Sequence, residues 1–376
     1  MPRQIRNSVI PLAEPSINWR EYVQLVMSLR GGWLTQSGSQ VKKMEASLTD
    51  FLARADQPNH KVSAVSNGTT ALHLALLSIN VGPGDEVVIP NYSYIAVANA
   101  VSYVGATLIP CDVDRKTGCL DARELRKLIT SRTKAVIVVD NYGVLADYES
   151  IRDITPSTIT IIQDAAESFP GPNIESIYGN QGDITTFSFY ANKVVTAGEG
   201  GAIRASAEIL KRVNYLKSQA QVSARNFTHG EVGFNYRITN MQAAIFNAQW
   251  KKLKIILSKR VSVFAAYVRE IEKHNLDITH NGDLRNNPWL FCVRSESIGL
   301  NRDRIRLSLN EVGVETRPGF TPISQHDFFG IDNKLAFSRS DALAAQTLCL
   351  PTFPNLSAKQ IKYVVSHLKS ALCESE

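Results

Sequence analysis

The sequence predicts an α/β protein, with a large domain on a mostly parallel sheet and a smaller carboxy-terminal α/β domain. Three observations carry that expectation. Between Lys61 and Ala205, short runs rich in β-branched residues alternate with helix-like stretches, the pattern of parallel strands joined by crossover helices. The 376 residues exceed one ordinary compact domain and fall short of three. From Met241 to about His274 no Gly or Pro interrupts apolar residues at helical spacing, which predicts one long helix joining domains at 1–255 and 256–376.

Taken in order, the candidate strands are Val62–Val65, Glu86–Ile89, Thr107–Ile109, Ala135–Val139, Thr158–Ile162, Thr185–Phe189 and Ala202–Arg204. Several run straight into polar or glycine-containing turns, and in a parallel sheet ligand groups belong at such carboxy ends. Past the long helix, Trp289–Val293 reads as a strand, Asp303–Val312 as a helix begun by Asp303, and Ala358–Leu372 as an amphipathic closing helix.

With 44% hydrophobic and 20% charged residues the chain is of ordinary globular composition, not fibrous, disordered or membrane-embedded. Lys and Arg number 41 against 35 Asp and Glu, a thin surplus without a basic, aromatic-laced stripe, so nucleic-acid binding is not expected. Lys42-Lys43 and Lys251-Lys252 read as solvated helix faces. The five cysteines, Cys111, Cys119, Cys292, Cys349 and Cys373, are scattered without metal-motif spacing, so they read as reduced thiols and no metal site is expected. After Arg3 and Arg6, Pro11, Glu14 and Pro15 arrive before an apolar run forms, and no membrane-length run follows. A cytoplasmic location is expected.

Four short motifs carry chemistry. Lys193 follows an aromatic, β-branched run and precedes Ala197-Gly-Glu-Gly-Gly201. Partial burial lowers an amine's pKa and makes it a nucleophile toward carbonyls, while the plain alternative is a lysine snorkelling from a strand end. Asp164 ends the apolar run Thr158–Gln163, where an acid can meet a ligand cation or simply cap a helix. Val65-Ser-Asn-Gly68-Thr69-Thr70 lies between a strand and a helix, an anion site in waiting if it is not an ordinary turn, and it lacks the Walker spacing. Ser188 can add a hydroxyl there or be a strand residue. Tyr94 can stack on a flat ring or pack in the core, and Asn235 can contact a ligand or bond its own backbone.

Together these residues resemble the DegT/DnrJ/EryC1/StrS family of nucleotide-sugar aminotransferases, fold-type I pyridoxal-phosphate enzymes related to aspartate aminotransferase. The resemblance runs from Ala13-Glu-Pro-Ser-Ile and Gly32-Trp-Leu-Thr through Ser66-Asn-Gly-Thr-Thr-Ala-Leu-His, Gln163-Asp-Ala-Ala-Glu and Ser188-Phe-Tyr-Ala-Asn-Lys to Gly233-Phe-Asn-Tyr-Arg and Glu315-Thr-Arg-Pro. It implies that Lys193 holds pyridoxal 5'-phosphate as a Schiff base, that Asp164 contacts its ring nitrogen, and that Glu167 lies near its ring hydroxyl. Gly68, Thr69 and Ser188 are implied to bind phosphate, Tyr94 to cover the ring, and Asn235 to reach the phosphate of the neighbouring subunit in a homodimer. His229 and Arg317 are candidate substrate contacts.

The implied reaction moves an amine, usually from L-glutamate, through pyridoxamine phosphate to a nucleotide-linked keto-deoxysugar. Relatives with histidine at the lysine position act as dehydratases, so Lys193 implies transamination. Within the family the chain is most similar to the GDP-perosamine synthases, which aminate GDP-4-keto-6-deoxymannose for surface polysaccharide such as O-antigen; dTDP- and UDP-linked 4-keto or 3-keto sugars are the alternatives. Two stretches depart from the family pattern, Gly143-Val-Leu-Ala-Asp-Tyr148 and Pro170–Gly182, and both are expected near segments that shape the substrate pocket.

Overall fold

Two helices open the chain in the computed structural model, which describes residues 9–36, 38–172, 176–223, 226–283, 285–332 and 336–373; Arg3 and Arg6 lie outside these. α1 (Trp19–Arg30) starts with a capping box in which the Asn18 amide donates to Glu21 at 2.8 Å. α2 (Ser39–Phe51) buries Val41, Met44 and Leu48, spaced three and four apart, and leaves Lys42 and Lys43 exposed.

The central sheet is built from β1 (His60–Val65), β2 (Glu86–Pro90), β3 (Thr107–Cys111), β4 (Thr133–Val139), β5 (Thr160–Asp164), β6 (Ile184–Ser188) and β7 (Gly201–Ser206). Its order is β1-β7-β6-β5-β4-β2-β3, parallel except that β7 runs antiparallel to both β1 and β6. Period-two alternation splits the side chains between two faces. Val87, Ile89 and Ile137 join α3 (Gly68–Ser78), α4 (Ala96–Tyr103) and α7 (Ala207–Leu216), whereas Val88, Val136 and Val138 join α5 (Ala122–Leu128) and α6 (Tyr148–Ile154). Both faces are covered, which is why these strands read as unbroken apolar runs.

A hairpin of β8 (Gln221–Ser223) and β9 (Thr228–His229) precedes α8 (Asn240–Lys251) and α9 (Leu253–Lys273). The single long helix expected from Met241 is thus two, broken at Lys252 with φ −111° and ψ 15°. Lys252 is also not on a solvated face. It is 3% exposed, its amine 2.6 Å from the buried Glu21 carboxylate and donating to the Ser16 carbonyl. A buried ammonium is stable only when paired, so the chain bends to bring it onto α1.

A second, antiparallel sheet follows, ordered β10-β11-β13-β12, from β10 (Thr279–His280), β11 (Phe291–Arg294), β12 (Arg317–Pro318) and β13 (Thr347–Leu350). It packs with α9, α10 (Glu296–Glu311) and α12 (Ala358–Cys373), while α11 (Ser338–Gln346) leads into β13. α10 begins seven residues before the expected Asp303, because the Ser295 side chain accepts from Ile298 N at 3.0 Å and caps it there. Asp303 instead pairs with Arg306 at 3.3 Å. β11 starts at Phe291, leaving Trp289 free of the ladder. Among the described residues no helix is long and apolar enough to cross a membrane.

Candidate active site

The carboxy ends of β1, β4, β5 and β6 open into one cavity of about 460 Å³, of a size that holds a small molecule. Lys193 enters it from the turn after β6, where its amide donates to the Tyr190 carbonyl at 2.9 Å. The side chain is 13% exposed, with Nζ 3.7 Å from Glu167 Oε1 and 3.8 Å from the centre of the Trp289 ring. Burial lowers the amine below the usual lysine range, and the carboxylates of Glu167 and Asp164 act against that. The amine therefore loses its proton more readily than a solvated lysine would.

Two carboxyls face it. Asp164, the last residue of β5, accepts from Ala166 N at 3.0 Å, so it caps the following turn and still lines the cavity. Glu167 accepts from Tyr142 N at 2.7 Å, and burial raises it to about 7 against the pull of Lys193. Burial raises Asp164 as well. An amine pushed down and an acid pushed up, 3.7 Å from each other, are brought closer in proton affinity than the free groups and can exchange a proton.

The opposite wall is the start of α3. Asn67 caps it by accepting from Thr70 N at 2.9 Å, and Gly68 and Thr69 line the cavity beside Ser188. A Cβ at Gly68 would fall 3.0 Å from Ser188 Cβ, so glycine keeps the gap between helix start and strand end at its widest. The helix dipole and its first amides make that gap a seat for an anion. Tyr94, 59% exposed, and Arg317, its side chain 60% exposed and 3.6 Å from Glu315, stand at the mouth.

Gly68, Thr69, Tyr94, Asp164, Glu167, Ser188, Lys193 and Arg317 are thus brought together in one place. His229 and Asn235 are not: the His229 ring bonds the Gln219 carbonyl at 2.7 Å on the exposed hairpin, and Asn235 Oδ1 accepts from Arg237 at 3.2 Å, both away from this chain's own cavity. The departure at Gly143–Tyr148 does lie beside the cavity, directly after the lining residue Tyr142, without itself being part of the lining. Val144 and Leu145 pack toward α5 and α6, and Tyr148 donates to the buried Asp140 at 3.0 Å. Gly143 itself needs its φ of +86°, and a Cβ there would lie 2.2 Å from the Asn287 carbonyl. Of Pro170–Gly182, residues 173–175 lie outside the described ones, and among the described residues none lines the cavity.

The sequence reading did not find the aromatic wall. Tyr142 stacks between Trp289, centroids 6.2 Å apart, and Phe320, 4.7 Å apart, and its hydroxyl accepts from Phe320 N at 3.1 Å. The three come from widely separated parts of the chain, so no spacing betrays them. The nearest signal is Trp289 itself, a large aromatic directly after Asn286-Asn287-Pro288.

The sequence profile of the DegT/DnrJ/EryC1/StrS aminotransferase family matches residues 15–369. The chain is 33% identical to a GDP-perosamine synthase of Caulobacter vibrioides over 369 residues, 96% of this chain and 98% of that one. To a GDP-perosamine synthase of Escherichia coli O157:H7 it is 32% identical over 359 residues, 94% and 96% of the two chains. The solved aminotransferase TlmJ of Streptoalloteichus hindustanus superposes with a TM-score of 0.87 at 25% identity, covering 97% and 99% of the chains. Helicobacter pylori PseC, an aminotransferase involved in the biosynthesis of pseudoaminic acid, shares the fold with a TM-score of 0.89 at 21% identity, covering 97% and 100%.

Pyridoxal phosphate, the cofactor of this family, fits the residues present: a buried amine for its aldehyde, an acid at a strand end for its ring nitrogen, and a helix-start cradle held open by Gly68 for its phosphate. The chain belongs to the DegT/DnrJ/EryC1/StrS aminotransferase family and is a sugar aminotransferase that works through pyridoxal phosphate.

Proposed function

We propose that the protein transfers the amine of L-glutamate to the 4-keto carbon of GDP-4-keto-6-deoxymannose, supplying an amino sugar for surface polysaccharide such as O-antigen. The observation that carries the amine-transfer chemistry is the buried Lys193 amine facing Glu167 and Asp164 in a cavity that also holds the α3 anion seat. The choice of sugar rests on the two GDP-perosamine synthases at 32–33% identity over nearly the full chain.

Bound pyridoxal phosphate supplies an electron sink for the bond broken at the substrate carbon. The chain's own residues do the rest. Lys193 Nζ anchors the cofactor and, once released, carries the proton between carbons. Asp164 holds a proton on the ring nitrogen, Glu167 stands by the ring hydroxyl, and Gly68, Thr69 and Ser188 bind the phosphate. Tyr94 covers the ring and Arg317 meets the substrate at the mouth.

Asn235 and His229, away from their own chain's cavity, are assigned to the site of a second copy in a homodimer. The exposed apolar residues Trp19, Tyr22, Met27 and Trp33 support such an assembly. Residues 1–255 are taken as the cofactor-binding domain and 256–376 as the smaller one, a division supported by the two separate sheets; the location is taken as cytoplasmic. The test is a panel of GDP-, dTDP- and UDP-linked 4-keto and 3-keto sugars with L-glutamate. The GDP-4-keto sugar is expected to give the highest kcat/KM, and a preference for another nucleotide or for a 3-keto sugar would overturn the assignment.

A further inference from the structure

Trp289 is fixed on every side but one. It is 4% exposed, its carbonyl accepts from Arg260 of α9 at 2.8 Å, and Arg260 also holds the Pro288 carbonyl at 3.2 Å. Its indole N–H donates at 3.0 Å to the carbonyl of Asn192, the residue immediately before Lys193. One ring face stacks on Tyr142, itself stacked on Phe320. The Lys193 amine lies over the ring, 3.8 Å from its centre.

We propose that the Trp289 ring is the seat on which the Lys193 amine rests in its charged form, after it has taken the proton from one carbon and before it gives it to the next, making Trp289 a positioning residue for the proton transfer. This rests on the reading of Lys193 as the cofactor's lysine. Anchoring the cofactor and moving a proton place the amine at two stations, and between them a flexible four-carbon stem would wander. An aromatic face attracts an ammonium, most strongly where water is excluded, and here it acts beside the Glu167 carboxylate, 3.7 Å from the same amine. The indole bond to Asn192 adds a second constraint, since it pins the backbone from which the lysine springs. The other charged groups at the cavity are Glu167 and Asp164, which favour the charged amine, and Arg317 and Glu199.

The test uses the full-length protein reconstituted with pyridoxamine phosphate, which leaves the lysine free, and reads amine acetylation by trace acetic anhydride against pH, quantified on the Lys193 peptide. Loss of the ring face in Trp289→Leu is expected to lower the labelling midpoint by about one pH unit, a roughly tenfold gain in neutral amine at pH values below both midpoints. Trp289→Phe, with a weaker face and no N–H, is expected to fall between, and carries the test by itself if the leucine variant does not hold cofactor. A merely structural role would change the labelling rate at all pH values and leave the midpoint in place. A midpoint unchanged in both variants overturns the proposal, as does one equally lowered in both. Borohydride fixation in parallel separates the two claims. Cofactor fixed on Lys193 with an unmoved midpoint defeats only the role of Trp289, whereas no fixation on Lys193 in the wild type defeats the reading beneath it.

Discussion

Asp140 lies wholly buried behind the site and accepts four hydrogen bonds, from Gln163 Nε2 at 2.8 Å, Ser168 Oγ at 2.7 Å, Tyr148 OH at 3.0 Å and Ala146 N at 3.1 Å. Burial nonetheless raises its carboxyl to about 6. A folded chain that binds this proton more tightly than the unfolded one gains from it at low pH and loses that gain as pH rises through about 4 to 6. The effect is about 3 kcal/mol for a carboxyl so displaced. In urea titrations the stability of the wild type relative to Asp140→Asn should therefore fall by about that amount between pH 4 and 7; parallel profiles would contradict it. Asp140 carries no motif of its own, and neither do Trp289 and Tyr142. Lys193 and Asp164, by contrast, were legible because each follows an apolar run that had to be a buried strand, so their side chains emerge at the sheet's carboxy edge.

At the start of α3 a Cβ on Gly68 would press on Ser188 Cβ at 3.0 Å, and a larger side chain would crowd the gap. Gly68→Val should weaken pyridoxal phosphate binding by tenfold or more, read by absorbance during dialysis, with far-ultraviolet circular dichroism unchanged. The break between α8 and α9 is stabilised from a distance, by Glu21 of α1 pairing with Lys252. Glu21→Ala strands the ammonium in the interior and should cost about 3–5 kcal/mol in urea unfolding, whereas replacing both partners by methionine should cost much less. That break was not legible, since Lys251-Lys252 offers neither glycine nor proline and its partner lies over two hundred residues away in the sequence. α10 shows the opposite case: Ser295 does carry a cap signal, but Gly299 and Asn301, where φ reaches −129°, interrupt the helical pattern enough to hide it. The seven strands, uninterrupted and buried on both faces, fell within about two residues of expectation.

For the whole molecule, a second copy is expected to add residues to the cavity. Asn235 and His229 lie outside the cavity of their own chain, and α1 presents an apolar face to solvent. A dimer of twice the 41.5 kDa chain is expected in sedimentation. Mixing inactive Lys193→Ala with Asn235→Ala should restore about a quarter of wild-type activity, because half the dimers are mixed and each then holds one intact site of two; no recovery would mean that Asn235 does not act across the interface. The expectation of a dimer rests on family resemblance, since one chain's residues do not reveal which surface a second copy covers. The account as a whole turns on Lys193, and the most direct measurement is borohydride reduction of the resting enzyme followed by peptide mass mapping. One phosphopyridoxyl group per chain is expected, on the Lys193 peptide, and none in Lys193→Ala. Cofactor fixed to a different lysine, or full amine transfer by the alanine variant, would contradict it.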